Sequence, residues 1–283
     1  MAPGGIDFVA IGHLTLDLAD AGQTPGGSAL YAGLLASHLG LRVGLLTSVG
    51  PTFPLDTLPS EIQVVNVPAK ETTTFEHHGR ASSRRLRLVH RARPLIEAEL
   101  PDEWRSAPLV YLCPVAAEVD PVLGHAFDDS VLGVGPQGWL RAWRQDGIVT
   151  RRRWDAASLV LRGAQALFLS QDDVAGEREV REWFDLVPVG CVTRGAAGAT
   201  LFVNGEPYAV SGYPAKVVDP TGAGDVFAAA FLIHYQRTQD AWEAAGFASA
   251  AGSLAVEGEG IIGVPGLAAL DARWTAYRHL FLV

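Results

Sequence analysis

Two cysteines, Cys113 and Cys191, are all that this chain of 283 residues contains. Two is too few for a disulfide framework, and their separation matches no metal-ligand spacing. Buried free thiols and a reducing, cytoplasmic setting follow. Also missing is any apolar run near the roughly 18 residues that a bilayer-spanning helix needs. The segment Met1 to Asp7 lacks the basic and apolar regions of a secretory signal. Positive charge is not in excess: 22 Lys and Arg face 31 Asp and Glu, a net charge of −9. Bulk nucleic-acid binding takes its affinity from neutralised phosphates, so that class is set aside with membrane spans. No Gly-x-Gly-x-x-Gly follows the first strand-like run, where Gly12-His13-Leu14-Thr15 stands instead. That removes a nicotinamide oxidoreductase. Internal repeats, low-complexity tracts and linkers are lacking too.

What is present suits a well-filled core: 48% apolar and 19% charged residues. Strand-like and helix-like segments alternate with short connections, the pattern of parallel βαβ units covered on both faces. Strands are expected at Phe8 to Gly12, Val43 to Val49, Ile62 to Val67, Val110 to Leu112, Val131 to Val134, Ala166 to Leu169 and Val189 to Val192. A hairpin is expected from Ala199 to Val210 through Asn204-Gly205. Helices are expected over Ser28 to Leu39, with Ser28 as cap and Gly40 as stop, then Ala223 to about Gln236 and Ala241 to about Val256. One stretch breaks this alternation. Residues 72–93 carry polar–apolar alternation at Arg85-Leu86-Arg87-Leu88-Val89 and predict a small β-hairpin with its turn near Gly79 to Ser83. The chain is thus one α/β domain over 1–283 with a β appendage. Arg80, Arg84, Arg85, Arg87, Arg91 and Arg93 cluster in that appendage and Arg151 to Arg153 form a short run; a solvated face is the default reading for both.

The most specific segment is Asp219-Pro220-Thr221-Gly222-Ala223-Gly224-Asp225. Its glycines let the backbone approach a ligand closely, and the apolar run Val226 to Ile233 places them at a helix N-terminus. Free N–H groups and the positive end of the helix dipole form an anion site there. Asp225 adds a carboxylate in the same turn; its plain alternative is to complement the dipole, which would also hold its pKa low. A second glycine segment, Pro25-Gly26-Gly27-Ser28-Ala29-Leu30-Tyr31-Ala32-Gly33, opens the first helix, and by itself is a capped turn.

The two segments together, in this order, resemble the signatures of the ribokinase-like (PfkB) carbohydrate kinases. Further segments are similar in order. They are Ile11 to Asp17, Ser170-Gln171-Asp172-Asp173 in place of an Asn-x-x-Glu element, Val192 to Gly198 for a Thr-x-Gly-x-x-Gly segment, and Glu257 to Gly260. The Pro136-Gln137-Gly138-Trp139-Leu140-Arg141 segment resembles the inositol and nucleoside kinase branch. The resemblance implies a doubly wound, mostly parallel central sheet with helices on both faces and a small, reduced β lid. It implies transfer of the γ-phosphate of ATP to a hydroxyl of a sugar, a polyol such as inositol, or a nucleoside. Asp225 would be the base, and the amides of Gly222, Ala223, Gly224 and Asp225 the anion hole. Asp17, Gly26, Gly27 and Tyr31 would bind the acceptor. Thr193, Gly195, Gly198, Thr221 and Gly258 would bind the nucleotide, with Asp173 reaching Mg²⁺ through water and a monovalent cation left open. Plain alternatives stand beside several of these: Asp17 as a turn cap, Asp172 and Asp173 as helix N-terminal charges, and Thr193 as loop chemistry.

The chain also departs from the family pattern. Only Leu18 to Pro25 separate Asp17 from Gly26, too few for two lid strands of typical length. The expectation is a smaller lid and a monomer, or a homodimer not made through the lid. Tyr31 and Ser170 each stand where asparagine is usual. The rival readings are a sugar-phosphate kinase using lid arginines, and a catalytically silent sugar- or nucleotide-binding protein.

Overall fold

Short apolar runs buried on both faces build the centre of the molecule, because a strand flanked by helices on either side must be apolar throughout. The computed structural model describes residues 5–19, 22–78, 85–127 and 129–280. The chain enters at β1 (Phe8–Ile11), leaves the core for β2 (Thr15–Ala19) and β3 (Gly22–Gly26), and returns through α1 (Ser28–His38) to β4 (Val43–Thr47) and β5 (Ile62–Asn66). A second excursion forms β6 (Thr73–His78) and β7 (Arg85–His90), before β8 (Leu109–Leu112) and β9 (Val131–Val134) re-enter the core. A ribbon of β10 (Arg141–Trp143) and β11 (Val149–Arg151) precedes α2 (Ala157–Leu161), β12 (Ala166–Ser170), α3 (Glu177–Phe184) and β13 (Val189–Thr193). The hairpin of β14 (Ala199–Val203) and β15 (Glu206–Val210) follows, then α4 (Ala223–Thr238), α5 (Ala241–Ala255) and α6 (Leu267–Tyr277).

Among the described residues, nine strands form the central sheet in the order β15-β14-β13-β12-β9-β8-β1-β4-β5. Pairing is parallel from β5 to β13 and antiparallel only at the β14–β15 edge. Successive residues of β1 divide between two cores, as the pleat requires. Phe8 and Ala10 join Leu30, Phe231 and Ala248 under α1, α4 and α5. Val9 and Ile11 join Trp104, Trp154 and Phe184 on the opposite face. Cys113 and Cys191 are buried free thiols, and burial pushes both far above the usual thiol range. No helix among the described residues is long and apolar enough to cross a membrane. At the β14–β15 turn, Asn204 and Gly205 both take positive φ, the backbone that a tight hairpin demands.

Two local features differ from the sequence reading. Ser28 does not cap α1; Gly27 does, at φ 102, and Ser28 is the first helical residue with its side chain buried. A Cβ at position 27 would lie 2.4 Å from the His13 carbonyl oxygen, so only glycine fits that turn. The lid is also larger than a single hairpin. Two five-residue strands, β2 and β3, pair antiparallel across positions 20 and 21, and β2 pairs in parallel with β6. The result is a four-stranded sheet, β3-β2-β6-β7. The expected lid turn near Gly79 to Ser83, with Arg80 and Arg84, lies outside the described residues. Of the remaining lid arginines, Arg87 pairs with Glu76 and Arg91 donates to the carbonyls of Ala116 and Ala117. At the Arg151 to Arg153 run, Arg151 pairs with Glu179.

Candidate active site

The start of α4 is built around one left-handed residue. Gly222 caps the helix at φ 75, and a Cβ there would come within 2.3 Å of the Tyr31 ring. Glycine is therefore required twice over, by backbone and by neighbour. The Gly222 carbonyl accepts the N–H groups of Asp225 at 3.0 Å and Val226 at 2.9 Å, while the Ala223 N–H reaches the Pro220 carbonyl at 3.4 Å. The sequence led to four donors at 222–225. Closure of the first turn spends that of Asp225 and partly that of Ala223. Among the described residues, the N–H groups of Gly222 and Gly224 have no protein partner. The preceding loop is fixed by Asp219: one carboxylate oxygen accepts the backbone and hydroxyl of Thr221, and the other accepts the Gly260 N–H at 3.0 Å.

Asp225 follows these amides and is half-buried. Burial pushes its carboxyl up to about 6; the Ser28 hydroxyl bonded to it pulls down, nearby Asp173 pushes up, and Arg141 pulls down. This reverses the low pKa expected at a helix N-terminus. Desolvation by the cleft walls outweighs the dipole, whose effect is usually a fraction of a kcal/mol. Asp173 is raised as well, chiefly by burial, and held back by the Ser170 N–H, Arg141 and the Gln137 amide. It closes a capping box with Ser170 on a single helical turn ahead of α3, with 2.9 Å from the Ser170 nitrogen to the carboxylate. Capping and a place in the cleft thus coexist in this one side chain.

Both carboxylates open on a cleft of about 660 Å³ that also holds Asp17 on β2. Of the residues singled out from sequence, Asp17, Gly27, Tyr31, Asp173, Thr193, Gly195, Gly198, Thr221, Gly222, Ala223, Gly224 and Asp225 line it. Gly26 and Gly258 do not. A Cβ at Gly26 would stand 2.7 Å from Asp17 Oδ2, so this glycine gives that carboxylate room. Gly258 packs on Gly263, where a Cβ would meet the neighbouring Cα at 2.5 Å. Thr193 donates its hydroxyl to the Leu169 carbonyl at 3.3 Å, and Gly198 takes φ 87 where any Cβ would strike the Val210 oxygen. Tyr31 is buried, and burial with Asp219, Asp17 and Asp225 nearby keeps its phenol protonated. A second cavity of about 430 Å³ lies between α2 and α3, beside the ion pairs Arg151–Glu179 and Arg178–Glu182.

Four contributors escaped the sequence reading. Ser28, taken for a cap, bonds the Asp225 carboxyl, and Gln137 bonds Asp173. Arg141 enters the cleft from the start of β10. Glu118, almost wholly buried, accepts the N–H groups of His13, Val115 and Ala116. His13 in turn meets the Arg93 carbonyl through Nε2 at 2.7 Å, so Nε2 carries the proton and Nδ1 accepts from the Thr73 hydroxyl. Burial keeps that ring neutral. The network ties β1, the lid strand β6 and the turn at 115–118 together.

Residues 165–265 match the model of the pfkB family of carbohydrate kinases. Over 82% of its length the chain is 25% identical to a cytidine kinase of Thermococcus kodakarensis, covering 89% of that protein. Over 74% it is 28% identical to an inositol 3-kinase of Oryza sativa subsp. japonica, covering 57% of it. Residues 165–265 thus form a pfkB-type carbohydrate kinase segment. The chain's fold is that of solved structures in the ribokinase family. A myo-inositol-3 kinase made from a pyrophosphate-dependent myo-inositol-1 kinase superposes with a TM-score of 0.77 at 21% identity, over 95% of this chain and 99% of that one. Arabidopsis thaliana ribokinase complexed with ribose and ATP superposes with a TM-score of 0.71 at 18% identity, over 95% and 98%. The matched segment, 165–265, runs from β12 through the start of α4 to the loop after α5.

Proposed function

We propose that this kinase moves the γ-phosphoryl group of ATP onto a hydroxyl of a small polyhydroxylated acceptor: a sugar, a polyol such as inositol, or a nucleoside. The observation that carries the reading is the pairing of the two unpartnered amides, Gly222 and Gly224, with a carboxyl raised to about 6, across a cleft from a second carboxylate, Asp17. The amides meet charge developing on the transferred group without reorganising. Asp225 takes the hydroxyl proton; its shifted pKa brings it nearer neutrality, where a general base works best. Asp17, projecting from the lid, accepts hydrogen bonds from acceptor hydroxyls. Ser28 holds the Asp225 carboxyl in place, and the Tyr31 ring supports the Gly222 turn.

Support for a nucleotide donor comes from the wall beyond the amides. Tyr213, Ala215, Val217, Phe227, Gly252 and Val256 line the same cleft. A phosphate site alone has no need of an apolar extension, whereas a base does. Mg²⁺ fits as an ion held by phosphate oxygens and water: no group of three or more His, Cys, Asp or Glu side chains is placed to hold a metal among the described residues, and Asp173 lines the cleft. When bound, the ion would neutralise phosphate charge, and Asp173 would steady it through water. A donor panel of ATP and pyrophosphate, crossed with pentoses, hexoses, inositols and nucleosides, tests the reading. ATP-dependent product with at least one hydroxylated acceptor is expected. Turnover with pyrophosphate alone would refute the nucleotide assignment.

A further inference from the structure

Among the arginines of this chain, Arg141 is in an unusual position. It starts β10, directly after the helical turn 136–140 that leaves the end of β9, and it lines the cleft. Its guanidinium carries five N–H donors. One, on Nη1, reaches the Val115 carbonyl at 3.0 Å, and the plane lies 5.5 Å from the Phe75 ring of the lid. Among the described residues it forms no ion pair, whereas Arg42, Arg87, Arg105, Arg144, Arg151 and Arg273 all do. Placing a guanidinium in a desolvated cleft without a bound carboxylate is costly. The site bears that cost until an anion arrives.

Two further observations say which anion. Arg141 is anchored rather than loose, since its partner Val115 sits in the turn clamped by buried Glu118. It also stands between two carboxylates: Phe75 pairs in register with Asp17 of β2, and Gln137, in the turn before Arg141, bonds Asp173. Arg141 therefore lies between the donor end of the cleft and the carboxylate assigned to the acceptor, on the path of a transferred group. The described lid arginines 85, 87, 91 and 93 do not line the cleft. Four cleft carboxylates, Asp17, Asp172, Asp173 and Asp225, and an incoming triphosphate leave a negative excess that two amides alone do not balance.

We infer that Arg141 is a catalytic residue that contacts the transferring phosphoryl group and neutralises charge on it in the transition state. This rests on the reading of the cleft as a phosphoryl-transfer site. As the acceptor oxygen bonds to the γ-phosphorus, the bond from that phosphorus to the bridging oxygen breaks, and its electron pair leaves with ADP. The hydroxyl proton passes to Asp225, and Arg141 neither gains nor loses one. An arginine supplied to a transferring phosphoryl group accelerates transfer by about 10³–10⁵-fold in other phosphotransferases. A plain brace between Val115 and Phe75 would explain one donor and the ring contact, but leaves the cleft-facing donors unused.

The test compares full-length wild type, Arg141→Ala and Arg141→Lys in steady-state kinetics, with guanidinium added to the alanine variant. Expected is a fall in kcat of at least ~100-fold for Arg141→Ala, little change in KM for either substrate, and partial rescue by guanidinium. Calorimetry gives a second readout: ADP with magnesium and aluminium fluoride should bind the alanine variant at least ~10-fold more weakly, with ADP alone unchanged. A raised acceptor KM at constant kcat would overturn the inference and make Arg141 the holder of an acidic acceptor. Equal weakening of ADP and ADP–fluoride, with a lowered melting temperature and no rescue, would make it a brace. A wild-type protein that transfers phosphate from no donor would overturn the inference together with the reading beneath it.

Discussion

Gly222→Ala is expected to damage both stability and catalysis, and the structure sets the size of each effect. At φ 75 the residue is left-handed, which costs an alanine roughly 1–2 kcal/mol. Its Cβ would also sit 2.3–2.4 Å from three atoms of the Tyr31 ring, a distance at which something must move. Tyr31 is itself buried, so its ring has little room to withdraw, and overpacking of this kind costs about 1–3 kcal/mol. The sum is about 2–5 kcal/mol, a large share of the stability of a typical domain. The two parts are separable in a double-mutant cycle with Tyr31→Ala. Removing the ring relieves the clash and leaves the backbone strain, so the coupling should be favourable by roughly 1–3 kcal/mol in urea unfolding. Activity should not return in the double variant, because the Gly222 N–H still departs from its present direction. A Gly222→Ala protein with the wild-type midpoint, or a cycle with no coupling, would refute this account of the turn.

Two further perturbations follow from the same geometry. With the Asp225 carboxyl at about 6, kcat/KM should rise with pH through that value and level off above it, since only the ionised form accepts a proton. Ser28→Ala removes the hydroxyl that favours the ionised form, so its pH–rate profile should shift upward; a downward or absent shift would contradict the Ser28–Asp225 bond. Glu118→Ala strands the amides of His13, Val115 and Ala116 in the interior and should cost about 3–5 kcal/mol in chemical denaturation. A loss under ~1 kcal/mol would show that the 115–118 turn needs no such clamp.

Much of this architecture is legible in the residues alone, for identifiable reasons. The strand Val131–Val134 coincides with its expected bounds because an uninterrupted apolar run between loops fits only a strand buried on both faces. Helix α4 was legible from its glycine start and apolar length. The first lid hairpin was not, although Leu16 is buried as an alternating strand requires. Eight residues between Asp17 and Gly26 looked too short because typical strand lengths were applied to strands of five residues. The Asp225 pKa was misjudged for another reason. The dipole is a local property of the helix, but the desolvation that overrides it comes from walls supplied by distant segments. Arg141 lay beyond reach for the same cause: its role depends on the ends of β9, the 115–118 turn and Phe75 of the lid meeting in space.

The central claim is that Asp225 is the base of a phosphoryl transfer, and isotope transfer from γ-labelled ATP to the acceptor tests it most directly. Asp225→Asn keeps size and shape, and misfolding is not the expected cause of any loss. A carboxyl raised in the folded state destabilises that state once pH exceeds the unfolded value near 3.8, and does so fully above about 6. The amide should therefore be at least as stable as wild type at pH 7 to 8. The account expects label transfer to fall by at least ~100-fold, with ATP affinity by calorimetry unchanged. Label transfer within a few-fold of wild type by a folded, ATP-binding Asp225→Asn protein would contradict it.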